Sequence, residues 1–146
     1  MDYIINTLDI IDEYDDTKFS VETEFHNKFM DAEWYGDEDW DYETIRDFIA
    51  NGDNQDVKEW ANLEMTEEFY NISEMERLFD KIGRNVYDGV ELIPYDYFPY
   101  YLQDRHREWG YEFPDWVVID WDSTADNIRS DYASVTYKGT TYLYMD

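Results

Sequence analysis

Seven carboxylates fall between Asp31 and Glu43: Asp31, Glu33, Asp37, Glu38, Asp39, Asp41 and Glu43, with Asp47 one helical turn further on. Trp34, Tyr35, Trp40 and Tyr42 are interleaved with them. The acids at 37, 39, 41 and 43 alternate, so in an extended chain they would share one side. Fixed negative charges set between aromatic anchors form an array that a phosphate-holding surface could accept. Asp41 and Glu43 also have a local explanation, because a helix beginning there favours acids through its dipole. We expect Asp31, Glu33, Asp37, Glu38, Asp39, Asp41, Glu43 and Asp47 to form a partner-binding acidic face.

Other chemistry is weakly signalled. Asp120-x-Asp122-x-Thr124-x-Asp126 has the odd spacing of a calcium loop, with Asp131 at the twelfth place. Ala125 stands where the sharp turn needs glycine, and the twelfth residue is not Glu, so a capped helix is the stronger reading. A pair of carboxylates could hydrolyse glycosides, but 37 acids guarantee a pair somewhere. His26 and His106 are the two histidines, and both read as structural. Arg105 and Arg107 are expected to pair with neighbouring acids. No glycine-rich phosphate loop, nucleophile elbow or zinc cluster is present. The expectation is a protein that is not an enzyme, with no catalytic residue, metal or cofactor.

The 146 residues carry 37 Asp and Glu against 11 Lys and Arg, a formal net charge of −26. Solubility asks for a net charge of only about 2–8 in a small domain, and self-repulsion beyond that opposes folding. Hydrophobic residues make up 43% of the chain and aromatics 20%, so the chain can bury a core in spite of its charge. Charge is uneven: residues 1–68 hold a net −18 and residues 69–146 a net −8. Anionic lipid and nucleic acid would both repel this chain, whereas a basic protein surface would attract it. With one charge per about 1.7 Å of duplex axis, 26 charges match about 44 Å, or about 13 base pairs. Cysteine is absent, which suits a reducing compartment. No signal peptide or membrane span is evident.

The elements that must position these groups read as an α+β fold, a single compact domain with several helices and a C-terminal β-hairpin. Tyr3–Tyr14 is ambiguous between helix and strand, and so is Lys18–Phe25. The balance favours a helix from Ser20 to about Trp34. Asp41 caps a helix to Ala50, with Ile45, Phe48 and Ile49 inward and Asn51-Gly52 as its stop. A short helix covers Val57–Leu63. Ser73-Glu-Met-Glu76 is a capping-box pattern opening a helix that ends at Gly83. Pro99 begins a helix over Tyr100–Trp109, and Asp120 or Asp122 caps one carrying Ala125 and Ile128. Tyr132–Tyr137, a Lys138-Gly139 turn and Thr141–Met145 form the hairpin. Tyr95, Tyr97, Phe98, Tyr100 and Tyr101 suit core packing or a Tyr-rich homodimer interface.

In the last third, Phe113-Pro-Asp-Trp116, Ile119-Asp-Trp121, Ala125-Asp-Asn-Ile128, Asp131-Tyr132 and Lys138-Gly-Thr-Thr-Tyr142 follow one another. This progression over about residues 95–145 resembles the C-terminal segment of ArdA-type antirestriction proteins. The glycine- and tyrosine-rich N-terminal strand segment of that family is not found here, and this chain is shorter. The resemblance implies an acidic, often dimeric DNA mimic, encoded by mobile elements, that blocks restriction–modification enzymes.

Charge and resemblance lead to one expectation: a phage- or plasmid-type inhibitor in the host cytoplasm. It would occupy the nucleic-acid groove of a basic host defence protein, a restriction–modification complex first and a CRISPR effector second. An acidic adaptor or chaperone for basic proteins is the alternative, and a calcium-binding module the weaker one.

Overall fold

The computed structural model describes residues 3–108, 114 and 116–145, without the side chains of Arg107 and Glu108. Contacts group the chain into two compact units: unit 1 is Met1–Ile10 with Arg77–Asp146, and unit 2 is Ile11–Glu76.

Unit 2 is helical. Most of α1 (Thr7–Phe29), all of α2 (Tyr42–Asn51) and α3 (Gln55–Glu64), and the first part of α4 (Thr66–Ile82) lie in it. Along α1, Thr7, Ile10, Tyr14, Thr17 and Val21 recur at alternating steps of three and four, continued by Phe25 and Phe29. All are buried or half-buried, which is the stripe a helix needs to face a core. This overrides the β-branched pair Ile10-Ile11. Ser20 therefore lies inside α1 instead of capping it, and the helix ends at Phe29, not near Trp34. Residues 30–37 form a series of turns, and residues 38–41 have no regular structure.

Helix α2 matches the sequence reading. Asp41 accepts from the Thr44 amide at 2.9 Å, and the Gly52 amide closes onto the Phe48 carbonyl. Ile45 is buried, with Phe48 and Ile49 half-buried beside it. Asn54 caps α3 through the Val57 amide. Helix α4 begins at Thr66, so Ser73 and Glu76 are interior positions and the capping box is unused. The reason is the apolar row Ile72, Met75, Leu78 and Ile82, all buried, whose helical spacing runs unbroken through the turns before and after Ser73.

Unit 1 contains an antiparallel sheet of β1 (Ile5–Asn6), β2 (Glu91–Pro94), β3 (Ala133–Tyr137) and β4 (Thr140–Tyr144), in the order β1-β2-β4-β3. The hairpin is as expected. Lys138 and Gly139 both adopt positive φ, 49° and 80°, which is what a two-residue turn matching strand twist requires. Strand β2 was not expected from sequence, and the ambiguous stretch Tyr3–Tyr14 resolves into β1 followed by the start of α1. The pairing of the two strands, Ile5 with Leu92 and Asn6 with Glu91, joins residues far apart in the chain. Thr7, fully buried, ties the same place together: its hydroxyl donates to the Val86 carbonyl and accepts from the Val90 amide, each at 2.8 Å. Helices α5 (Phe98–Glu108) and α6 (Trp121–Ile128) add Phe98, Leu102 and Ala125 to Ile93 and Leu143 in the core. Burying each of the larger side chains contributes about 1.5–3 kcal/mol. Asp120 caps α6. Trp109, Gly110 and Phe113 lie outside the described residues.

Candidate functional site: the acidic loop and helix of unit 2

Unit 2 holds 22 Asp and Glu against 4 Lys and Arg, a net −18, while unit 1 holds a net −8. No carboxylate of unit 2 is buried. Glu22, Glu68, Glu74 and Glu76 are half-buried and the rest are exposed.

The segment from Asp31 to Asp47 is seated on aromatic rings. The Phe25 ring centre lies 5.0 Å from Trp40, 5.1 Å from Phe29 and 5.6 Å from Trp60. Trp34 stacks on Phe48 at 5.1 Å, and Tyr35 stacks on Trp40 at 5.7 Å. Pairs of this kind contribute about 0.5–1.5 kcal/mol each beyond their buried area. The Trp40 indole N–H donates to the Tyr35 carbonyl at 2.8 Å, closing the loop that carries Asp37, Glu38 and Asp39. His26 sits on the same platform, its Nδ1 2.6 Å from the Tyr35 hydroxyl.

All eight expected face residues are exposed. The alternation from 37 to 43 is partly realised: Trp40 and Tyr42 turn inward while Asp39, Asp41 and Glu43 turn outward. The row is not one extended strand, because Asp37 belongs to a turn and Glu43 to α2.

Two of the eight serve the fold. The Asp41 carboxyl is held below its usual range by hydrogen bonding to Thr44. Glu43 meets Arg46 Nη2 at 2.6 Å and Lys18 Nζ at 3.4 Å. Arg46 also reaches Glu76, which accepts from the Tyr14 hydroxyl at 3.1 Å. Burial opposes the charge on Arg46, but Glu43 and Glu76 together raise its pKa.

The carboxylates of the other six, Asp31, Glu33, Asp37, Glu38, Asp39 and Asp47, make no hydrogen bond or ion pair among the described residues. Their mutual repulsion opposes the fold. Asp31 and Glu33 follow the C-terminal end of α1, whose last turn holds His26 and Lys28, and Asp47 lies in the middle of α2. A helix dipole is negative at its C-terminal end, which disfavours the nearest of these acids, Asp31.

Sequence reasoning left one group unplaced. Asp12, Glu13, Asp15 and Asp16 are exposed on α1, and Asp12–Asp16 is an i,i+4 like-charge pair that weakens the helix by a few tenths of a kcal/mol. The cluster is visible as four acids in five residues, but the helix–strand ambiguity of this stretch hid their arrangement.

Elsewhere, Arg105 Nη2 meets both carboxylate oxygens of Glu91 at 3.0 Å. The Arg107 side chain is outside the described set. Asp120 accepts from the Ser123 amide and hydroxyl; these bonds lower its pKa. Among the described residues no three His, Asp or Glu are placed to hold a metal ion, and no helix is long and apolar enough to cross a membrane. Of the aromatic run, Phe98 is buried and Tyr97 and Tyr101 pack on the core, while Tyr95 and Tyr100 are exposed. No protein-family model, curated protein or solved structure matches this chain.

Proposed function

We propose that this protein is an inhibitor that imitates a polynucleotide and occupies the nucleic-acid groove of a basic host defence protein. The observation that carries the reading is the set of six exposed carboxylates that the fold does not use. They are seated on or beside a packed aromatic platform, and their mutual repulsion opposes the fold that carries them. Charge that destabilises its own scaffold is selected for something outside it. A groove lined with Lys and Arg would release the counterions crowding this surface, as it does when it takes up DNA. The protein acts by binding and performs no catalysis, in the host cytoplasm where its target works. A restriction–modification complex is the first target class, in line with the resemblance noted above, and an RNA-guided nuclease the second.

The test is DNA cleavage by one enzyme of each class with the protein added before the DNA. Inhibition that is relieved by excess duplex and weakens steeply with salt is expected. No inhibition of either class, together with binding to basic tails that duplex DNA does not compete, would replace mimicry with the adaptor reading.

A further inference from the structure

Unit 2 also carries a groove of about 520 Å³. Phe29 and Lys28, at the end of α1, line one side. Asp56, Glu59, Trp60, Leu63 and Glu64 of α3 line the other, and their spacing of three and four puts them along one side of that helix. Phe29 and Trp60 meet edge to face at 5.7 Å and form an aromatic floor. Leu63 is 74% exposed, an aliphatic shelf left in water. Glu64 stands in the last turn of α3, where no basic residue opposes the negative end of the dipole. The cation lining the groove is Lys28, 3.9 Å from Glu64, with both side chains more than half exposed. So long and solvated a pair adds little.

We infer that this groove receives an arginine side chain of the partner, with Lys28 as an internal stand-in that the guest displaces. The inference rests on the reading that the protein binds a basic surface, and it names the chemistry of one contact. A guanidinium is flat and weakly hydrated, so its faces can lie on Leu63 and the aromatic floor of Phe29 and Trp60. Its N–H groups are then directed at Glu59 and Glu64, and Asp56 adds negative charge farther along the groove. A lysine ammonium is compact and strongly hydrated and gains nothing from the apolar floor.

The experiment is a titration of the full-length protein with N-acetylarginine amide and, separately, N-acetyllysine amide, followed by NMR at the Trp60 indole N–H. A saturable shift is expected, with arginine binding several-fold more tightly than lysine. Glu59→Gln and Glu64→Gln weaken arginine binding several-fold. Leu63→Gln, at an exposed position that does not threaten the fold, removes the preference for arginine. Lys28→Gln tightens binding, whereas Lys58→Gln, the same charge change outside the groove lining, does not. Equal binding of the two amides, or equal effects of Lys28→Gln and Lys58→Gln, overturns the inference. Cleavage inhibition measured on the same variants separates the two proposals. Inhibition without arginine selectivity sinks the groove alone, and arginine selectivity without inhibition sinks mimicry alone.

Discussion

The Trp40 indole N–H and the Tyr35 carbonyl meet at 2.8 Å, spanning the loop that carries Gly36, Asp37, Glu38 and Asp39. Three neighbouring like charges repel, and this bond, with the stacking of the same two rings, holds their backbone in one arrangement. Trp40→Phe keeps an apolar ring but leaves the carbonyl unpaired and the site underfilled, at a cost of about 1–3 kcal/mol. Denaturant unfolding measures that cost. Hydrogen exchange at residues 36–39 should accelerate more than the global loss explains.

Asp41 separates folding from binding. Asn is as good an N-cap as Asp, so Asp41→Asn should leave the melting temperature nearly unchanged while weakening inhibition. Asp41→Ala should lower both. The pH dependence has a definite sign. Hydrogen bonding holds the folded carboxyl below its ordinary value of 3.8. The cap's contribution is therefore complete above that value and is lost as pH falls through the lowered one. Calorimetry of wild type and Asp41→Asn between neutral and strongly acidic pH checks it, since the neutral amide loses the titration.

Neutralising the six uncommitted acids, Asp31, Glu33, Asp37, Glu38, Asp39 and Asp47, to Asn or Gln should leave stability equal or higher, because repulsion is relieved. Inhibition should fall progressively with each change, and its salt dependence should become shallower. A melting temperature that drops with the series would show that these side chains support the fold after all.

Salt should stabilise the isolated protein. The screening length shortens from about 30 Å at 0.01 M to about 10 Å at 0.1 M, which weakens repulsion among the exposed acids of unit 2. The melting temperature should rise over that range, while inhibition moves the other way.

At the alkaline end, burial leads the neighbouring carboxylates in pushing the Tyr42 phenol up to about 12, with Arg46 opposing. A raised acid contributes stability that is complete below its ordinary value of 10.0 and is lost as pH climbs toward the raised one. Tyr42→Phe should flatten the stability curve over that interval, read by unfolding midpoints beside phenolate absorbance.

The features that could be read from sequence are those whose cause is local. Asp41 with Gly52, Asp120 with Ser123, and Lys138-Gly139 each act within a few residues, and the structure places them as their chemistry predicts. The start of α4 was misread because Ser73 and Glu76 form a good cap pattern, and only the burial of Ile72 and Met75 in one core keeps the helix running through them. Strands β1 and β2 are defined by pairing across more than eighty residues, which no short window contains. At the site, acidity and aromatic spacing were plain. Which acids the fold consumes was not, because Glu43 and Lys18, or Glu76 and Arg46, meet only after the helices pack.

The two hydrogen bonds of Thr7 join the start of the chain to residues synthesised long after it. Unit 2 is one uninterrupted stretch of chain, so all of its contacts can form once residue 76 has left the ribosome. Thr7 must wait for Val86 and Val90 to be synthesised before its hydroxyl has either partner. The strongly charged part of the molecule thus has all its partners in hand before the N-terminal strand has its own.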